Sequence, residues 1–194
     1  MTIAAEPADE GSAHGRFQPF HNEHLAYVLA AHGRCKFLWI GITKFDLDTE
    51  VSPLGRDREK PENNPLTYFE RTSIISEALQ DNGISRATFA FIPFPIEHPQ
   101  KLKQFLSTSV VCFTTICESW NEEKIEVLKA EGYPVTVLWK HDYKKVTGQA
   151  VREQLIRGEQ GWKEMVPQAT VRAMERLKIS DRLRQLRHRP FSER

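Results

Sequence analysis

Apolar and polar positions along the chain alternate in blocks that predict strand and helix by turns. Residues 25–31 read as a helix leaving a histidine-rich turn, and the apolar run over 36–43 (KFLWIGIT) has the length of a buried strand. Residues 46–64 are polar, charged and carry two prolines, which predicts a long surface loop. Thr67 followed three positions on by Glu70 forms a capping box. Phe69, Ile74, Ile75, Ala78 and Leu79 then supply a helical stripe, stopped at Asn82-Gly83. Strands are predicted over 87–92 (ATFAFI), 110–116 (VVCFTTI) and 135–139 (VTVLW), with a helix over 122–131 and only helices from Thr147 to about Leu186. Residues 1–12 read as a flexible leader, 13–186 as a single domain, and 187–194 as a tail. Strand and helix in steps of thirty-odd residues predict an α/β fold: a doubly wound, mostly parallel sheet with C-terminal helices. Such sheets bind ligands beyond the carboxyl ends of their strands.

Composition narrows the function classes. The chain has 194 residues, and 27 Lys+Arg against 26 Asp+Glu leave a formal charge of +1. That balance excludes a polycationic coat for nucleic acid. No apolar run approaches the roughly 18 residues of a membrane span. The start of the chain is small and acidic, unlike a signal peptide. Cys35, Cys112 and Cys117 are an odd count without metal-site spacing, which predicts reduced thiols in a cytoplasmic protein. Cys112 and Cys117 are expected to pack as small hydrophobes at either end of the third predicted strand. Self-association stays open.

The segment from Gly15 to His24, GRFQPFHNEH, carries the chemistry. His21 and His24 stand three apart at a helix start and project from one face. Unpaired N–H groups there attract phosphate, imidazoles can donate to phosphoryl oxygens, and Arg16 adds a planar donor fork. Spacing alone equally allows a partial zinc site or two surface histidines.

The run GRFQPFHNEH closely resembles the GRFQPFHxGH signature of the nicotinamide-mononucleotide adenylyltransferase family of nucleotidylyltransferases. Asn64-Pro65-Leu66-Thr67 with Glu70-Arg71 is similar to that family's N-P-F-T-x-x-E-R helix start. The segment 146–152 (VTGQAVR) resembles I-S-x-T-x-x-R, and 162–167 (WKEMVP) resembles W-x-x-L-V-P. Four ordered likenesses over roughly residues 14–175 are far more specific than any one motif. The resemblance implies a Rossmann-like fold. It also implies transfer of a nucleoside monophosphate from an NTP (CTP or ATP) to an anionic acceptor, with release of pyrophosphate and Mg²⁺ as cofactor.

By the same resemblance His21 and His24 contact the α- and β-phosphates, flanked by Gly15, Arg16, Phe17 and Gln18. Thr147, at a helix N-cap, holds β- or γ-phosphate together with Gln149 and the catalytic Arg152. Arg71, or Arg56 and Arg58 in the loop, are weaker candidates for the same anion. The phosphates are expected to hold most of the metal.

Three departures stand out. Glu23 replaces the glycine between the histidines, where it either points outward along the helix dipole or helps hold the metal. Residues 10–14 are not the apolar first strand usual in the family: either that strand is short or His14 is a candidate to enter the site. Gln149 replaces a threonine. In the acceptor region, 93–108 has no tryptophan for stacking a flat base and carries His98, Lys101 and Lys103 instead. Thr114-Thr115 replaces the family's Gly-Asn. These features resemble the branch that attaches CMP to small phosphonates, with His98, Lys101, Lys103, Thr114 and Thr115 as acceptor-binding candidates. Pyridine-nucleotide adenylylation is the alternative within the class, and a non-catalytic nucleotide-binding regulator is the alternative outside it.

Overall fold

Residues 8–12, read from sequence as part of a leader, belong to a strand. In the computed structural model, which describes residues 6–47, 60–117, 119–140 and 146–188, Ala8–Gly15 forms β1. With β2 (Cys35–Ile42), β3 (Phe89–Pro93), β4 (Val111–Ile116) and β5 (Val135–Lys140) it builds a five-stranded sheet, all of whose neighbours run parallel. The order is β3-β2-β1-β4-β5, so the supposed leader supplies the central strand. The reason it escapes a periodicity search is steric. A Cβ on Gly11 would land on the Phe113 ring of β4 and 2.9 Å from Cys35 Sγ. The centre of the sheet therefore takes Gly11, Ser12 and Ala13 where a strand normally shows branched side chains. We expect Gly11→Val to cost about 1–3 kcal/mol through overpacking, read as a lowered melting temperature. An unchanged melting temperature would show that the ring can move aside.

The chain divides into two compact units. The first comprises Met1–Arg16, Ala26–Lys44 and Ile84–Lys144, and the second Phe17–Leu25, Phe45–Gly83 and Lys145–Arg194. The two units are interleaved in sequence, with a boundary inside the GRFQPFHNEH segment itself. The first unit holds the sheet and α3 (Ser119–Ala130), which packs on β4 and β5. Its core includes Phe94, Leu102, Cys112 and Leu128, all buried. Burial pushes the Cys112 thiol up to about 12 and that of Cys35 up to about 11, so both are inert at neutral pH. All three cysteines are free thiols.

The second unit is helical. It contains α2 (Tyr68–Asp81), α4 (Gly148–Arg157), α5 (Trp162–Met165), α6 (Gln168–Arg176) and α7 (Ile179–His188). Helix α1 (Asn22–His32) begins in this unit and ends in the other. The Thr67–Glu70 capping box forms as the sequence predicts, and Gly83 ends the α2 segment at φ +78°. Phe69, placed by pattern on the buried stripe, is instead 77% exposed. Arg71, Ile74, Ile75 and Ala78 define the buried face, and Phe69 lies two residues, more than half a turn, from its start. Among the described residues no helix is long and apolar enough to cross a membrane.

Glu70 does more than cap. Arg182 of α7 grips its carboxylate with two hydrogen bonds, Nη1 to Oε2 at 2.7 Å and Nη2 to Oε1 at 2.8 Å, and donates a third to the Pro65 carbonyl. Arg182 is therefore a structural clamp; residues 189–194, most of the expected tail, lie outside the described residues. Burial raises the Glu70 carboxyl pKa, but the Arg182 bonds and the Thr67 backbone N–H outweigh it and leave the group below its ordinary value. A carboxyl depressed in the folded state stabilises fully above its unfolded pKa and loses that contribution as pH falls through the folded value. Glu70→Gln is expected to cost about 2 kcal/mol at pH 7 and to flatten the decline in melting temperature below about pH 5. An acid profile with the wild-type slope would remove Glu70 as its source.

Candidate active site

His21 and His24 form a capping box of their own. The His21 carbonyl accepts the first helical bond of α1, from Leu25 N–H at 3.0 Å, which makes His21 the N-cap. The His24 N–H donates to Nδ1 of His21 and the His21 N–H to Nδ1 of His24, each a long bond of 3.4 Å. The two rings stack at 3.5 Å between centroids and 16° between planes. With Nδ1 accepting in both rings, the neutral tautomer carries its proton on Nε2. Each imidazole is thus held in a fixed orientation at a helix N-terminus, a place suited to phosphoryl oxygens. Glu23 stands half-buried in the first turn, where a carboxylate favours the helix dipole.

The residues just before the pair are its support. Phe17 and Gln18, expected to touch nucleotide, point their side chains into protein. The Phe17 ring is 1% exposed and packs edge-on against His24 at 5.0 Å and Phe20 at 5.6 Å. Its backbone sits at φ +52°, a region that costs on the order of 1–3 kcal/mol and persists only when packing holds it. The Gln18 amide is consumed by Leu66, donating to the carbonyl at 2.7 Å and accepting from the N–H at 3.0 Å. Farther along, Thr170 Oγ1 donates to the Phe20 carbonyl and Asn22 to the Glu164 carbonyl, tying the turn to α6 and α5. Both α5 and the start of α6 follow from the 162–167 segment, so that likeness carries scaffold as well.

Helix α4 meets the same turn. Thr147 caps it, accepting from Ala150 N–H at 3.1 Å. At Gly148 a Cβ would lie 2.6 Å from the Gln18 carbonyl oxygen, so only glycine permits this approach. Arg152 is 5% exposed and donates to the Gln18 carbonyl through Nη1 and to Asn63 Oδ1 through Nη2 at 2.7 Å. Two of its donors therefore clamp protein, which makes it a positioning residue on this geometry rather than solely a phosphate ligand. Gln149 is exposed and bonds Glu153 along the outside of α4 at 2.8 Å. Arg71 is 1% exposed and donates from Nε to the Thr67 carbonyl. Asn63 escaped the sequence reading although it adjoins the Asn64-Pro65 signature; its role needs a partner 89 positions away. Arg56 and Arg58 lie outside the described residues.

The remaining candidates belong to the sheet unit. The Gly15 carbonyl accepts from Thr43 N–H, and Arg16 is half-buried. Thr114 and Thr115 close β4, Thr114 at 1% exposure. His98, just before the short helical turn Pro99–Gln104, and Lys101 on it are exposed, and Lys103 there pairs with Glu131 at 3.1 Å. Among the described residues no three His, Cys, Asp or Glu side chains are grouped to hold a metal ion.

A sheet of this order, with two histidines capping the first helix, defines a Rossmann-like nucleotide-handling fold. Solved structures agree on the fold. A bifunctional NMN adenylyltransferase/ADP ribose pyrophosphatase from Francisella tularensis superposes with a TM-score of 0.65 at 18% identity, over 92% of this chain and 53% of that one. This chain thus spans about half of that protein. No protein-family model matches. Among curated proteins, the phosphonoformate cytidylyltransferase of Streptomyces viridochromogenes is 35% identical over 182 residues, covering 93% of this chain and 98% of the relative. A nicotinamide-nucleotide adenylyltransferase of Ignicoccus hospitalis is 31% identical over 178 residues, covering 90% and 96%. The chain belongs to the nucleotidylyltransferase family that these cytidylyl- and adenylyltransferases represent. It is an enzyme of nucleotidyl transfer.

Proposed function

We propose that the chain transfers CMP from CTP to a small phosphonate in the cytoplasm, releasing pyrophosphate. The observation that carries this reading is the 35% identity, over nearly the full length of both chains, to a phosphonoformate cytidylyltransferase. The exposed His98 and Lys101, in a segment without tryptophan, suit a compact anion better than a flat base. A phosphonate oxygen is already nucleophilic at neutral pH, so no strong general base is required. It attacks the α-phosphorus, a new P–O bond forms, and the bond to the bridging oxygen of the β-phosphate breaks, its electrons leaving with pyrophosphate. The Nε2 donors of His21 and His24 bind the phosphoryl oxygens as charge develops there, and the Thr147 cap and Arg152 hold the turn in place.

A magnesium ion would be carried mainly by substrate phosphates, with Glu23 the carboxylate nearest in sequence to the histidines. When bound, it supplies charge neutralisation on the triphosphate.

Adenylylation of nicotinamide mononucleotide is the second reading, favoured by the 31% identity to the Ignicoccus enzyme. Pyrophosphate release measured with each of the four NTPs, against phosphonoformate and nicotinamide mononucleotide, decides between them. Release with CTP and phosphonoformate is expected. Release only with ATP and nicotinamide mononucleotide supports the second reading, and no release with any pair overturns both.

A further inference from the structure

His14, a candidate from sequence to enter the site, is a buried imidazole without a part in the transfer described so far. It is 4% exposed, and neither ring nitrogen has a hydrogen-bond partner. An unsatisfied buried polar group is destabilising, and an apolar side chain would pack here without that penalty. The ring is nevertheless carefully accommodated. It stacks on Phe94 at 4.2 Å between centroids and 4° between planes. Its β2 neighbour is Gly41, where a Cβ would come 2.9 Å from the His14 Cβ and 2.5 Å from the Phe94 ring. A glycine on β2 and a phenylalanine after β3 thus hold the imidazole in one orientation.

Its position in the sheet is that of a ligand-binding residue. His14 is the penultimate residue of β1, the strand at which the order reverses from β2 to β4, and doubly wound sheets bind ligands beside such a point. The β1–β4 register runs through Ala13↔Phe113. At His14 the Tyr27 hydroxyl stands between the strands, accepting from His14 N–H at 3.1 Å and donating to the Phe113 carbonyl at 2.7 Å. Thr114 follows Phe113 near the end of β4, buried, with its hydroxyl donating to the Thr115 carbonyl at 3.4 Å. Burial, aided by the positive charge of Lys124 on α3, holds His14 well below the ordinary histidine pKa, so the ring is neutral, with one N–H to give. That same lysine charge favours an anion nearby.

We propose that His14 is a specificity-determining residue for the acceptor, donating a ring N–H to an anionic oxygen of a small phosphonate bound at the carboxyl ends of β1 and β4. This rests on the phosphonate reading above. The test compares wild type with His14→Val and His14→Gln, varying CTP and phosphonoformate separately. His14→Val should raise KM for phosphonoformate about tenfold or more while KM for CTP stays within about twofold. His14→Gln, which keeps a donor, should recover part of that loss. An unchanged phosphonoformate KM in His14→Val, or equal rises in both KM values, overturns the proposal. Should His14→Val fail to fold, the ring-nitrogen resonances of His14 in wild type are titrated with phosphonoformate: a shift supports the assignment and its absence overturns it. If wild type releases no pyrophosphate from CTP with phosphonoformate, the phosphonate reading itself has failed, and the same resonances titrated with nicotinamide mononucleotide judge His14 separately.

Discussion

Replacing either His21 or His24 by alanine is expected to lower kcat at least a hundredfold, the usual loss when a preorganised donor to a developing oxyanion is removed. Because each ring also caps α1, an alanine variant loses structure and chemistry together. His21→Asn separates them. Asparagine is a good N-cap, so α1 should keep its start and the protein its melting temperature. A stable His21→Asn protein with turnover down by two orders of magnitude locates the effect in the imidazole donor. Wild-type rates in both alanine variants would remove these residues from the reaction.

Arg152→Met should damage both folding and turnover. The substitution leaves the Gln18 carbonyl and the Asn63 carboxamide without a buried cationic donor, at an expected cost of about 3 kcal/mol, and loosens the turn that carries the histidines. Arg152→Lys is expected to restore little, because one ammonium cannot reproduce the planar fork that spans two acceptors. Thermal denaturation alongside kinetics reads the outcome. A tenfold rise in KM for the nucleotide at an unchanged melting temperature would show that phosphate contact, not the clamp, is the residue's main task.

Legibility in the sequence followed the range of the interaction. The start of α2 is readable from Thr67 and Glu70 because a capping box closes within one turn. The strands β2 to β5 are readable because their apolar runs are short and bounded by turn residues. The strand β1 is not, since its identity as a strand comes from Phe113 and Cys35 pressing on Gly11, and neither lies near it in the chain. Phe17 and Gln18 show a different failure. A motif records every residue that a site requires, whether it touches the ligand or only holds the turn, and the string of letters does not distinguish the two. Arg182 was invisible as a clamp because its carboxylate partner is 112 positions away.

That separation bears on how the protein is made. On the ribosome, Glu70 emerges 112 residues before the guanidinium that holds it, so the first turn of α2 must wait for α7 before its anchorage is complete. A nascent chain stalled ahead of residue 182 should therefore expose this helix start to proteases, because a distant later helix closes it.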